Sequence, residues 1–588
     1  MVDWNKKLVA FLHDPPDKPL SIPGHIERAK ANIKVVLGRE ATQDEWNGAE
    51  IADALASAAD RLNLPPNLRS DFQKSPVITH PLSGGQKLYL DTIQINDIAD
   101  KISIVIRQLG CNHDNNQLRY LGLWRNLFDA LGEKIPEIGT LWQLLPADTR
   151  IPDHSLLAHL SITSALSGAG ERPALLIFSI GPVQSFIAAA RRTQDLWMGS
   201  YLLSYLIWAA MLPIIEQYGP DAILFPSLYG QPLVDLWLST KNLIKRPNSE
   251  QLTIANLPNK FTALLPASDA KEAADKAEKS LREKWNEISQ SVKKHLESLS
   301  PQAKGKDWNE IWNRQINSLP EIYWNIYPWP NSYDKTKEQY ETLVGISPLT
   351  KEVYNLFAKK SSEGGGQYVP NLGTVYQLLY DLADRGFAAR KGIREFSQSD
   401  EGGEQCSVMP GYAALHIGDP SRKGVRDFWK NIADKLCEKG NRAAIKPNGA
   451  ERLSAIGAIK RFASQTYFKD KFNINERFTS IATITVLPFY DSLFQTIRDE
   501  PDNNELTQSI KNLVNSLGKA NVPNTILYSS LPKFIRNKID QLGNKGETLK
   551  ELLEYDGEWL YPETYNQREF EPGINKEEII SAKKKLSS

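Results

Sequence analysis

The chain has 588 residues, 41% of them apolar and 24% charged, with 70 Lys and Arg against 70 Asp and Glu. That composition excludes global disorder, collagen-like repeats and a coiled-coil rod. Balanced charge excludes a molecule coated in basic surface and leaves room for a local basic groove.

At about 100–200 residues per domain, the length implies three or four domains, each large enough to bury a core without disulfides. Cys111, Cys406 and Cys437 are too few for a disulfide framework and suit a reducing cytoplasm. The N-terminal stretch MVDWNKKLVAFLHDPPDK lacks the apolar region of a signal peptide. The longest apolar run, LLSYLIWAAMLPII (202–215), is too short to span a bilayer and is stopped by a proline. It reads as a buried helix, and a cytoplasmic location with no membrane partner is expected.

Residues 1–168 read as mostly helical, with helices over 27–38, 45–63 and 94–110. In the second, Ile51, Leu55, Ala58, Ala59 and Leu62 recur at helical spacing. SALSGAGERP (164–173) has the Gly and Pro of a linker. ALLIFSIG (174–181) reads as a buried strand, followed by a long helical stretch broken near Gly199. DAILFPS (221–227) and KFTALLP (260–266) are further strands, and 267–300 is an amphipathic helix. Strand, helix, strand, strand, helix predicts a split βαβ sandwich over 169–350, with IYWNIYPWP (322–330) a candidate for its fourth strand. After the glycine-rich SSEGGGQ (361–367), helices are expected over 374–396 and 426–440, a strand or buried helix start at 480–489, and a frayed tail at INKEEIISAKKKLSS.

Three constellations can carry chemistry. His13-Asp14 pairs an imidazole with a carboxylate, a donor set for a divalent transition metal acting on a phosphodiester. The same dipeptide also fits a helix C-terminus, with the histidine on the last carbonyls and Pro15-Pro16 stopping the helix. Five more histidines fall in the first 160 residues: His25, His80, His113, His154 and His159. Asp60 lies on a predicted helix, with Asp53 two turns earlier.

The second constellation is IGPVQSFIAAARRTQDLWMGS. Here a helix start near Pro182 and the pair Arg191-Arg192 fit either a phosphate or a solvated basic patch. The third is GEQCSVMPGYAALH. Cys406, Cys437 and His416 give three ligands at best, short of a structural zinc site, so buried free thiols are the better reading. The sequence has no P-loop, GxGxxG, GxSxG, HExxH or GGDD motif.

Together these segments resemble the large subunit of type III-B CRISPR effector (Cmr) complexes. AFLHDPPDK with GHIERA resembles that family's N-terminal HD signature. IFSIGPVQSFIAAARRTQDLWMGSYLLS is the most distinctive match, and YWNIYPW, ERLSAIGAIKRF and DGEWLYPE add to it.

The resemblance implies an α+β multidomain fold. It comprises a helical HD domain (1–168), a ferredoxin-like palm-type βαββαβ domain with helical insertions (169–350), and a mainly helical region with a degenerate zinc-finger segment (351–588). It also implies that the chain ends before a second, GGDD-bearing palm.

By resemblance, His13 and Asp14 are catalytic and bind a Mn, Ni, Co or Fe-type metal, with His25, Asp60 and His159 as further ligands and His154 and His80 as weaker ones. Gln184, Ser185, Arg191, Arg192 and Ser200 would lie near a nucleotide. ATP and Mg would be used only if a second palm were supplied. The family's CxxC is reduced here to Cys406 and Met409, which puts structural zinc on Cys406 and Cys437 in doubt.

Implied partners are the other complex subunits, guide RNA, target RNA, a single-stranded DNA substrate and a separate GGDD-palm polypeptide. The implied function is a metal-dependent single-stranded DNA nuclease within an RNA-guided antiviral complex. The alternative is a non-catalytic scaffold subunit.

Overall fold

The computed structural model describes residues 2–58, 72, 74–80, 83–90, 97–113, 115–148, 154–300, 303–352, 370–393, 401–439, 444–446, 448–474, 481–500, 504–520, 522, 531, 533–561 and 576–587. Asp60 and the 361–367 loop lie outside them.

The first helices are α1 (Trp4–Leu12), α2 (His25–Leu37) and α3 (Gln43–Ala56). A two-stranded ribbon, β1 (Val77–His80) and β2 (Ser83–Tyr89), comes next. Then follow α4 (Ile98–Gly110), α5 (Asn116–Lys134) and α6 (Leu156–Ala169). α1 is capped by Asp3, which accepts from the Asn5 and Lys6 amides, and it buries every residue from Lys7 to Leu12. α3 starts at a capping box in which Thr42 and Glu45 satisfy each other's amides. The Arg39 guanidinium, bonded to Glu45, holds that carboxyl at about 2. The inward face of α3 is Ala49 and Ala52, not Ile51, which is 64% exposed. Small residues there let α1 and α6 approach closely.

α6 runs to Ala169 and the next strand begins at Pro173, so most of the predicted linker is helix. β3 (Pro173–Gly181) is followed by a five-residue helix, α7 (Gln184–Ala188), and the long α8 (Thr193–Tyr218). The break falls at 189–192 rather than at Gly199. A Cβ on Gly199 would sit 3.3 Å from the Ile187 Cα and 3.2 Å from the Lys460 Cε, so glycine there serves close packing. α8 also continues past Pro213. The carbonyl of Ala209, which proline cannot serve, accepts a 2.7 Å bond from the Ser280 hydroxyl. α8 is long and apolar enough to cross a bilayer, but most of it is buried inside the protein.

β4 (Ile223–Phe225), α9 (Pro232–Ser239), α10 (Ser249–Leu252), β5 (Lys260–Pro266), α11 (Ala270–Leu299), α12 (Lys306–Asn317), β6 (Glu321–Pro328) and α13 (Tyr333–Leu343) complete this part. The sheet is antiparallel in the order β4-β5-β3-β6, the arrangement of a split βαβ sandwich, and β6 is its fourth strand. Register pairs Phe178 with Phe261 and Trp324.

β3 is buried on both faces. Ala174, Leu176, Phe178 and Ile180 join one core with α8 and α11. Leu175 and Ile177 join another with Ala52 of α3, with Ala165, Leu166 and Ala169 of α6, and with Leu379, Ala383 and Phe387. The last three lie on α14 (Tyr376–Gly392).

α15 (Arg422–Glu438), α16 (Ala455–Ala463) and α17 (Lys469–Phe472) follow. Cys406, Trp429, Ile456 and Phe468 share the core of the sheet. Helices α18 (Ile481–Thr485), α19 (Leu487–Asp499), α20 (Asn504–Lys519), α21 (Lys533–Asp540), α22 (Glu547–Leu553) and α23 (Lys576–Ser587) come last. From Val486 to Leu586 the chain closes a core of its own. The stretch 480–489 is therefore helical where described. The expected tail is a packed helix, with Ile579, Ala582 and Leu586 buried at helical spacing.

α1 is tied to the sheet region by a buried ion pair. Lys7 Nζ lies 2.5 Å from Asp221 Oδ2, and the two side chains are 1% and 0% exposed. Lys7→Ala leaves Asp221 buried without its counter-charge and is expected to cost about 3–5 kcal/mol. Chemical denaturation of the full chain checks this, with Lys7→Met/Asp221→Leu expected to recover most of the loss.

Candidate metal centre

His13 caps the C-terminus of α1, and its Nδ1 lies 2.7 Å from the carbonyl oxygen of Ala10. Capping and metal ligation are therefore compatible. The carbonyl takes the Nδ1 proton, which fixes the tautomer and leaves Nε2 as the lone-pair nitrogen. That Nε2 points at two carboxylates, 3.4 Å from Asp14 Oδ2 and 3.6 Å from Asp53 Oδ1. His159, on the first turn of α6, brings its Nε2 to 3.1 Å from Asp53 Oδ1 and 3.9 Å from Asp14 Oδ2. The two imidazole centroids are 5.4 Å apart. Both Nε2 atoms are buried with no well-formed hydrogen bond.

His13, Asp14 and His159 offer ligand atoms that all lie within 4.8 Å of one another. Two imidazole nitrogens and a hard carboxylate around one point suit a divalent transition metal.

The electrostatics agree. Burial opposes the charge of Asp14, yet His13 and Lys18 hold its carboxyl below the usual range. Asp53 is likewise driven well down against burial by the two imidazoles. Burial pulls His13 down, but Asp14 and Asp53 outweigh it and raise its pKa. His159 is lowered, chiefly by burial.

The other expected ligands sort differently. His25 stands at the start of α2, its Nδ1 2.8 Å from the Ile22 carbonyl, and does not join the cluster. His80 is exposed on the ribbon. His154 is a neighbour, its ring 6.0 Å from that of His159. Asp53 completes the arrangement. Its signal in the sequence was its place on α3 directly after the inward Ala49 and Ala52, which puts the carboxylate at the rim of the buried face.

Asp53 is held from behind. Asn371 donates to the Ala54 carbonyl at 2.8 Å, and a Cβ on Gly373 would sit 2.0 Å from the Leu55 carbonyl oxygen. Gly373→Ala must push α3 away. It is expected to cost about 1–3 kcal/mol and to weaken metal binding about 10-fold or more, as lost outer supports do. Calorimetric metal titration measures the second effect.

The expected nucleotide residues do not assemble a phosphate site. α7 has only five residues, and Gln184 and Ser185 on it are exposed. Arg191 donates to the Ser407 carbonyl at 2.9 Å. Arg192 is taken by Glu451 at 2.7 Å. Ser200 is half-buried inside α8. The Arg pair thus links the start of α8 to Ser407 and Glu451, with Arg192 withdrawn from solvent and Arg191 still exposed.

Cys406 Sγ accepts the amides of Val408 (3.4 Å) and Met409 (3.3 Å) in a tight, buried turn. Cys406, Cys437 and His416 do not form a ligand cluster among the described residues.

Residues 175–290 match the family described as CRISPR-associated protein Cmr2, N-terminal. The CRISPR system Cmr subunit Cmr2 of Pyrococcus furiosus is 25% identical over 621 residues, covering 94% of this chain and 66% of that protein. The chain is similar to Cmr2 over most of its length. The Cmr2 subunit of Saccharolobus solfataricus is 30% identical over 256 residues, 38% of this chain and 23% of that protein.

Two cryo-EM structures of type III-B Cmr-beta, one in the apo state and one bound to cognate target RNA, share the fold. Each has a TM-score of 0.55 at 19% identity, over 86% and 85% of this chain and 56% and 54% of theirs. The chain thus spans just under two thirds of the Pyrococcus Cmr2 and little more than half of the Cmr-beta chains.

Proposed function

We propose that this chain is part of the large subunit of an RNA-guided type III-B effector complex, and that residues 1–168 form an HD-type, metal-dependent single-stranded DNA nuclease domain. The convergence of His13 Nε2, His159 Nε2 and Asp14, with both nitrogens buried, facing carboxylates and without a well-formed hydrogen bond, carries this reading. Asp53 lies within reach of both nitrogens. A divalent transition metal held there would act as a Lewis acid on a phosphodiester. His13 supplies a nitrogen whose tautomer is fixed by Ala10, Asp14 and Asp53 supply negative charge, and the buried walls exclude bulk water.

The βαββαβ region corresponds in this reading to the first palm. The other Cmr subunits, guide RNA and target RNA are its partners through the complex, by analogy with the Cmr2 relatives. Cyclic oligoadenylate synthesis is not assigned to this segment, which carries no GGDD motif. In this reading ATP and Mg would be used only if a second palm were supplied.

The test is cleavage of a single-stranded oligonucleotide with Mn²⁺, Ni²⁺ or Co²⁺ by the wild-type chain and by His13→Ala/Asp14→Ala. Metal-dependent cleavage that is lost in the variant supports the nuclease. Equal cleavage by both sinks it. No cleavage by either, alone or in the assembled complex, favours a scaffold.

A further inference from the structure

We propose that Lys18 is a built-in competitor for the metal. Its ammonium takes Asp14 when no cation does, and turns to the phosphodiester when one does. The proposal rests on the metal-centre reading above.

Lys18 Nζ donates to Asp14 Oδ2, the same oxygen that faces both Nε2 atoms. An ammonium and a divalent cation sharing one carboxylate oxygen repel each other, so loading the centre requires Lys18 to let go.

The position of Lys18 is built into the turn. After Pro15-Pro16 the chain reverses, with the Lys18 amide bonded to the Pro15 carbonyl at 2.9 Å and the Leu20 amide to the Asp17 carbonyl at 2.9 Å. Asp17, 2% exposed, anchors the turn through Arg28 Nε at 2.9 Å, and Arg28 also donates to the Pro23 carbonyl at 2.7 Å. Lys18 itself is 25% exposed while Asp14 is 5% exposed, so the ammonium stands on the solvent side of the carboxylate, where a strand of nucleic acid must arrive.

The charges complete the case. Two carboxylates, Asp14 and Asp53, balance a divalent ion. Lys18 then leaves one positive charge over, which matches a single phosphodiester.

Mn²⁺ affinity, read by electron paramagnetic resonance on the full chain at fixed pH and ionic strength, tests this alongside oligonucleotide cleavage. Lys18→Met is expected to bind Mn²⁺ at least 10-fold more tightly than wild type and to cleave at least 10-fold more slowly. Lys18→Arg should stay close to wild type in both. Lys18→Gln gives the same reading if Lys18→Met does not fold. Unchanged or weaker Mn²⁺ affinity in the folded neutral variant overturns the competitor role alone. A wild-type chain that binds no Mn²⁺ overturns the metal-centre reading instead, so the two failures are distinguishable.

Discussion

Replacing His13 and Asp14 together by alanine is expected to reduce metal-dependent cleavage of single-stranded DNA by more than about 100-fold, beyond the cost of losing an outer support alone. The double variant removes one of the two free imidazole nitrogens and the carboxylate that both of them face. It leaves the fold nearly intact. The lost contacts are the His13 bond to the Ala10 carbonyl, an interaction whose net contribution is about 1 kcal/mol, and the pairing of Asp14 with His13 and with the partly exposed Lys18. A melting temperature close to wild type, combined with lost cleavage, separates chemistry from folding. A fully active double variant would place the nuclease elsewhere.

A large expected effect on stability lies far from that centre. Arg461 is fully buried between two carboxylates. It donates to Asp195 at 2.7 and 2.8 Å, to Glu451 at 3.0 and 3.0 Å, and to the Ala444 carbonyl at 2.9 Å. Asp195 in turn accepts the amides of Arg191 and Arg192 at 3.1 and 3.2 Å where α8 begins. Arg461→Met leaves buried Asp195 with backbone amides alone and Glu451 with Arg192 as its one remaining side-chain cation, and is expected to cost about 3–5 kcal/mol.

The same network sets an acid limit. Burial works against the charge of Glu451, but Arg461 and Arg192 hold its pKa at about 2, below the ordinary 4.5. A depressed folded pKa contributes stability that is fully present above the unfolded value and is lost as pH falls through the folded one. Stability is therefore expected to drop as pH falls from 4.5 toward 2. Glu451→Gln should flatten that slope, which denaturation curves across this range will read.

Much of the fold was legible in the sequence because its signals are local. β3, β5 and α11 announce themselves by period and by bounding Gly and Pro, and the aromatic run 322–330 is the fourth strand. The places where local reading failed are those where a distant residue intervenes. Pro213 ends no helix because Ser280 serves the stranded carbonyl. Gly199 breaks no helix because its missing side chain seats Lys460. Arg191-Arg192 reads as either an anion site or a solvated basic patch, and the contacts to Ser407 and Glu451, more than 200 residues away, are invisible in the local sequence.

The site shows the same division. His13-Asp14 is a motif and could be read directly. His159 was available through resemblance. Asp53 could be noted in the sequence two turns before Asp60, but its place beside the two histidines emerged only with α3 laid against α1 and α6, since it depends on which face of α3 is buried.

His13, Asp14 and His159 are proposed to hold one divalent ion, with Asp53 beside it. Anomalous scattering from crystals of the chain grown with Mn²⁺ tests it most directly. A single peak is expected about 2.0–2.2 Å from His13 Nε2 and His159 Nε2, with a carboxylate oxygen of Asp14 at similar distance. Crystals with Mn²⁺ bound elsewhere and no peak between these side chains would contradict it.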